Sequence, residues 1–150
     1  MRENLIKISK VILTVVKICA IVSIFATIFG GFPKKLPETI PKEAFLLCGI
    51  VSILYSIFYY LIANNIIFII NNSRENPFIM DIVKRFDRTG IYLIIISVMD
   101  YIKNHSNILR TDTNKVSNVG FILLSGIMCF VISNIIYKAI KIKDDNDLTI

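Results

Sequence analysis

One histidine, His105, in 150 residues leaves the chain almost nothing from which to build a general-base or metal centre. It also lacks H-E-x-x-H, G-x-S-x-G and G-x-x-x-x-G-K-S/T, the patterns that set up zinc hydrolysis, a serine nucleophile or a phosphate cradle. Cysteine is nearly as scarce. Cys19, Cys48 and Cys129 all lie inside apolar runs, and none belongs to a C-x-x-C pair or a Cys/His cluster. That argues against a zinc site or a disulfide framework and leaves three free thiols acting as small apolar side chains. The expectation is no catalytic residue, no cofactor and no metal, so the chain is not an enzyme. Charge is sparse too: 19% of residues are charged against 55% hydrophobic, with a mean hydropathy of +0.67.

What fills the space is apolar length. Ala44 to Ile70, AFLLCGIVSILYSIFYYLIANNIIFII, runs twenty-seven residues without a charge. A helix of about 20 such residues crosses the ~30 Å hydrocarbon core of a bilayer, and at ~1.5 Å per residue this one reaches about 40 Å. A soluble domain of this size has no use for it. The chain therefore falls in the membrane class, with the lipid bilayer as its first partner. The formal net charge is +6. Because the basic residues flank apolar runs, membrane orientation and anionic lipid account for them, and direct nucleic-acid binding is not implied. Heavy use of Ile, Asn and Lys points to an AT-rich bacterial genome.

Four runs organise the chain. Val11 to Phe32 follows Arg2, Lys7 and Lys10, contains Lys17, and ends in Gly30-Gly31-Phe32-Pro33 rather than a cleavage site, so it reads as an uncleaved first span. Pro33 to Glu43, with three prolines in eleven residues, is an extended link. After the second span, Asn76-Pro77-Phe78 predicts a helix start, with Asn as N-cap and Pro in the first turn. Phe78, Ile79, Ile82, Val83 and Phe86 then share one face, and Asp81, Lys84, Arg85, Asp87 and Arg88 the other. This amphipathic segment is expected at the cytoplasmic interface, with Lys84, Arg85 and Arg88 reaching headgroups. The uncharged stretch Gly90 to Ile102 covers only about 20 Å, so the amphipathic segment must supply the first turns of the third span, with Gly90 as a bend. A polar loop, Lys103 to Lys115, leads to the fourth run, Val116 to Tyr137. The expected fold is all-α: one integral membrane domain over residues 1–150, a four-helix bundle with spans at about 8–32, 44–70, 82–102 and 116–137. Four spans put both termini on one side. That side carries ten Lys and Arg and the other six, which predicts both termini in the cytoplasm of a bacterial cytoplasmic-membrane protein.

Asn76-Pro77-Phe78, the basic segment to Gly90, and the ending Lys138 to Ile150 (KAIKIKDDNDLTI) together resemble the bacterial membrane family called domain of unknown function 2975. Its members show an NPF-like cytoplasmic motif before the third span and an A-x-x-I-K-x-E-N-D-L-T-I ending. Here Asp145 stands where the family usually has Glu. The resemblance implies a four-helix membrane protein, often encoded beside a small helix-turn-helix regulator, and no established activity.

Small residues recur at i, i+4, i+8 in three spans: Cys19, Ser23, Thr27; Cys48, Ser52, Ser56; and Ser125, Cys129, Ser133. Such faces are the usual packing seams of membrane helices, and the depth of the first two suits an antiparallel hairpin. Lys17 is the most costly residue, at about 2.5 to 3.5 kcal/mol for a mid-span lysine. It either snorkels to the cytoplasmic headgroups or joins a polar cluster with Asn64 and Asn134, which match its depth. Asp100, near the outer end of the third span, is expected to be hydrated. The functional expectation is a regulatory or sensory membrane protein. Its cytoplasmic face, drawn from Asn76, Pro77, Phe78, Lys84, Arg85, Arg88, Asn146, Asp147 and Leu148, would dock a cytosolic protein, in keeping with the helix-turn-helix regulator of the resemblance. The acidic tail is expected to fold back on Lys84, Arg85 and Arg88, with Leu148 and Ile150 near Phe78 or Phe86. The alternatives are an accessory subunit of a transporter or an immunity-type protein against membrane-active peptides. A channel or carrier in its own right is a further alternative, and four spans with one intramembrane lysine would line a path only in a homo-oligomer.

Overall fold

The computed structural model describes residues 2–30, 42–73, 76, 78–105 and 118–147. They form four helices: α1 (Arg2–Phe25, prolonged by a π-helical turn over Ala26–Gly30), α2 (Lys42–Asn72), α3 (Met80–His105) and α4 (Val119–Asp147). There is no strand among the described residues. A helix satisfies its backbone within itself, which is what lets apolar runs of this length exist in lipid. Three helical segments are long and apolar enough to cross a membrane: Glu3–Phe29, Leu46–Asn72 and Val119–Asn146. The buried apolar core is small, comprising Ala20, Ile62, Ala63, Ile82, Val83, Ile96 and Ile140. Large apolar side chains such as Ile12, Ile18, Phe25, Leu124, Ile127 and Ile135 face outward instead. In water such surface would be a liability; against acyl chains it is the proper outside.

The bundle is an open row. Consecutive helices run antiparallel, and α1 packs on α2, α2 on α3, and α3 on α4, with no other helix pair in contact among the described residues. α3 and α4 make the tightest pair. Ser133 Oγ donates to Val83 O at 3.2 Å, and Ser97 Oγ donates to Val119 O at 3.0 Å. Midway between these bonds the two backbones meet at glycines: a Cβ on Gly90 would stand 3.0 Å from Gly126 O, and one on Gly126 would stand 3.1 Å from Gly90 O. Seven residues along α3 match seven residues back along α4, the repeat of helices that keep one seam in contact. Ile82, Thr89 and Ile96, all buried, flank the seam at the same spacing.

Two local expectations are corrected here. Gly90 is not a bend, since α3 runs unbroken through it; its missing side chain is used for close approach to α4. Helix α3 starts at Met80 rather than at Asn76-Pro77-Phe78, because the Asn76 side chain closes a turn of its own, with Oδ1 accepting from the Phe78 N–H at 3.2 Å. Pro77 lies outside the described residues. The small-residue trio of α4 also divides. Ser133 faces α3, while Ser125 is exposed and bonds back to Phe121 O, because the seam follows a seven-residue rather than a four-residue step.

The α1–α2 hairpin joins the other two trios. Ser56 Oγ contacts both Ser23 Oγ (3.1 Å) and Ser52 O (3.0 Å), and the Thr27 methyl approaches Gly49. Between α2 and α3, Phe58 and Tyr92 place their ring centroids 5.7 Å apart.

The glycine contact gives a first prediction. Gly126→Leu should destabilise the protein by about 1–3 kcal/mol, since the neighbouring carbonyl can move only if the helices separate. Gly120, with nothing within 4 Å of its Cβ position, is the control, and Gly120→Ala should be neutral or stabilising. Thermal unfolding in detergent reads both; equal effects would contradict the close approach.

Candidate functional site

The polar groups of the row converge on α2. Asn64 and Asn65 are adjacent in its uncharged run and point about 100° apart, one towards each neighbouring helix. On one side Lys17 Nζ of α1 donates to Asn64 Oδ1 at 3.1 Å, and the ammonium lies 5.0 Å from the centroid of the Tyr60 ring. On the other side Arg85 Nη1 of α3 donates to Asn65 Oδ1 at 2.9 Å, and the guanidinium carbon lies 4.4 Å over the Phe68 ring. Tyr60 is four residues before Asn64 and Phe68 three after Asn65, so on each flank amide and ring share a helix face. Each cation receives one neutral oxygen and one π face, about 0.5–2 kcal/mol for the ring contact. Asn65 is 4% exposed, and its Nδ2 has no hydrogen-bond partner among the described residues.

A second polar contact lies nearer the opposite end of α2. Tyr55 OH donates to Asp100 Oδ1 of α3 at 2.6 Å. The sequence expectation of a hydrated Asp100 is therefore corrected, because the carboxylate faces α2 and takes a phenol as its donor.

Asn134 does not join the Lys17 cluster. It is exposed on α4, beside Met80, Lys84, Asp87 and Tyr137, and α4 makes no contact with α1. Its depth matched that of Lys17, but in an open row depth does not bring the two end helices together. Arg85 was expected among the headgroups and in the docking face; it is turned inward instead, held by Asn65 and Phe68.

The rest of the expected docking face lies at the end of the row that holds the start of α1 and the end of α4. Phe78 is 44% exposed, and Lys143 Nζ stands 5.9 Å from its ring centroid. With Ala139, Ile142 and Asn146 they border a shallow groove. Lys84 meets Asp81 at 3.8 Å in an exposed pair of little energetic weight, and Arg88 is exposed. Asp144 and Asp145 do not turn back towards Lys84, Arg85 and Arg88. They continue α4, which runs as helix through Asp147. The Asp147 side chain, Leu148 and Ile150 lie outside the described residues, so the apolar half of the expected fold-back does too.

Asn65 and Tyr55 escaped the sequence reading. The one available signal was the Asn-Asn pair itself, two amides side by side in a run with no charge. Among the described residues no three His, Cys, Asp or Glu side chains are grouped to hold a metal ion.

The two flanks of α2 predict a coupling. Asn64→Leu strands the Lys17 ammonium and should destabilise by about 1–3 kcal/mol. Adding Lys17→Leu should recover most of that loss, giving an interaction energy of about 0.5–3 kcal/mol in a double-mutant cycle. Melting curves in detergent measure it; strict additivity would mean the 3.1 Å contact carries no energy.

Comparison of the chain with family models, with curated proteins and with solved structures returns no match.

Proposed function

We propose that the chain is a four-span regulatory protein of a bacterial cytoplasmic membrane, with both termini in the cytoplasm and a cytosolic protein docked where α4 emerges. The observation that carries the docking reading is the reach of α4. Its apolar run ends at Tyr137, yet the helix goes on through Asp147, ten residues and about 15 Å further. This stretch exposes Lys138, Lys141, Lys143, Asp144 and Asp145, and leaves Ile142 61% exposed. A large apolar side chain on a charged, projecting helix has no bilayer role and suits a protein partner. The family resemblance suggests that this partner is a helix-turn-helix regulator.

Crossing by α3 is supported by where its side chains point. Among the described residues beyond Gly90 the exposed ones are Ile91, Ile95, Val98, Tyr101 and Ile102, and none carries a charge. Two of the ionic groups of α3, Asp100 and Arg85, are engaged by α2. An open row encloses no lumen within one copy, which favours the regulatory reading over a channel.

Two experiments test this reading. A reporter after Ile150 should read cytoplasm, and one near Asn107 the opposite compartment; the same compartment for both removes the four-span topology. A photo-cross-linking residue at Ile142 should trap a soluble protein in cells, while one at Leu124, 60% exposed on the lipid-facing side of α4, should trap lipid. Lipid adducts alone at both positions would remove the docking role.

A further inference from the structure

Arg85 and Asn65 together have more donors than acceptors. Asn65 Oδ1, the one side-chain acceptor between them, is taken by Arg85 Nη1 at 2.9 Å. What remains on both groups is N–H alone. A guanidinium is a fork of donors without a lone pair to offer. The Asn65 side chain is 4% exposed, and its Nδ2 has no hydrogen-bond partner among the described residues. A buried donor left without an acceptor is costly. No carboxylate answers the guanidinium either. The acids nearest to Arg85 in sequence are Asp81, which meets Lys84 at 3.8 Å, and Asp87, which borders the groove towards α4. Its second contact on α2 is the Phe68 ring, in a run that has no charge from Ala44 to Ile70. Asn65 Nδ2 and Oδ1 hang from one carbon, so an oxygen set beside the bonded Nη1 also comes within reach of Nδ2. The member that this cluster lacks is an oxyanion.

Depth names the molecule that carries it. The apolar stretch of α2, Leu46–Asn72, has 27 residues and a length of about 40 Å, against ~30 Å of hydrocarbon. Centred in the bilayer, each of its ends stands about 5 Å within the headgroups. Asn65 lies seven residues before Asn72, about 10 Å, and therefore only about 5 Å below the hydrocarbon boundary. A phospholipid phosphate drawn slightly inward covers that distance, since a bilayer thins locally around a buried cation. Arg85 is half-buried and carries its donors on a long stem, so a turn of its head admits the phosphate to the enclosed amide.

We propose that Arg85 and Asn65 bind the phosphate of an anionic phospholipid, Arg85 through two parallel N–H groups and Asn65 through Nδ2. The planar fork of arginine matches phosphate oxygens two at a time, as a lysine does not. Basic pockets between membrane helices near the cytoplasmic surface are where anionic headgroups bind. Arg85 does not reach out to the headgroups; one headgroup comes in to Arg85. The site does not depend on the docking of a cytosolic protein.

The test is native mass spectrometry of the full chain, released from micelles holding equal amounts of phosphatidylglycerol and phosphatidylcholine. One phosphatidylglycerol per chain should be retained, preferred about tenfold over the zwitterionic lipid, the worth of one charge-assisted hydrogen bond. Arg85→Lys keeps the charge and loses the fork, and should cut the preference to about twofold. Lys84→Gln removes a neighbouring charge outside the site and should change the preference by less than about twofold. Asn65→Leu separates two accounts. It frees Arg85 from its internal acceptor, so an arginine that merely snorkels would then hold phosphatidylglycerol more tightly. Loss of the Nδ2 bond instead weakens retention by about tenfold. Tighter or unchanged retention by Asn65→Leu overturns the proposal, as does equal retention of the two lipids by the parent chain. A loss on Lys84→Gln as large as that on Arg85→Lys overturns it too, since general surface charge would then suffice. Arg85→Lys keeps a cation against Asn65 and Phe68, and it carries the test if Asn65→Leu does not fold. Displacement of the lipid by excess inorganic phosphate would give the site to a free oxyanion and overturn its assignment to a phospholipid.

Discussion

The row is organised by a polar obligation inside an apolar medium. From Ala44 to Ile70 helix α2 has no charge, yet it holds a cation from each neighbour, Lys17 on one flank and Arg85 on the other. Carboxylates would attract both cations more strongly, but each would add an insertion cost comparable to that of the cation it served. An asparagine oxygen costs less to immerse and still accepts a charge-assisted hydrogen bond of about 1.5–3 kcal/mol. The neighbouring rings of Tyr60 and Phe68 add a second, diffuse attraction through their π faces. Neutral acceptors therefore let α2 insert as an unbroken apolar helix and afterwards bind two helices that do carry charge.

The α3–α4 seam solves the same problem by fit. Lipid tails are as apolar as leucine, so two apolar helices gain little by leaving them, and association depends on close approach and on hydrogen bonds between helices. Gly90 and Gly126 supply the approach, and Ser97 and Ser133 bond to carbonyls of the facing helix. α1, at the other end of the row, is held by a different kind of contact. Its side-chain bonds to α2 include the Lys17–Asn64 and Ser23–Ser56 pairs, and the one glycine there, Gly49, meets a Thr27 methyl rather than backbone.

Legibility in the sequence followed the range of the signal. The helical class, the apolar runs and the pairing of the small faces of α1 and α2 depend on nearest-neighbour patterns along the chain, and those could be read. The contact between Lys17 and Asn64 was open to a depth argument because both helices are ends of one short hairpin. The same argument failed for Asn134, since depth is one coordinate and order in the row is another. Arg85 failed for a related reason. Its place on a charged helical face suggested headgroups, but a helix with neighbours on two sides has fewer free faces than its sequence suggests. The role of Gly90 could not be seen without Gly126 opposite it, a pairing of residues 36 positions apart that no local rule encodes.

Order in the row also accounts for the composition of the helices. α1 and α4 stand at its ends, each with one neighbour, and both meet the length-and-apolarity requirement of a span, as does α2. α3 is the one helix that falls short, and it has a neighbour on each side. Two of its charges are taken up between helices, Arg85 and Asp100 lying against α2, while Val83, Gly90 and Ser97 meet α4. Beyond Gly90 the described residues that face outward are Ile91, Ile95, Val98, Tyr101 and Ile102, none of them charged. A hydropathy window averages over all faces of a helix, but lipid meets only the uncovered one. For a helix between two others that face is narrow, and on the proposed third span it carries no charge beyond Gly90 among the described residues.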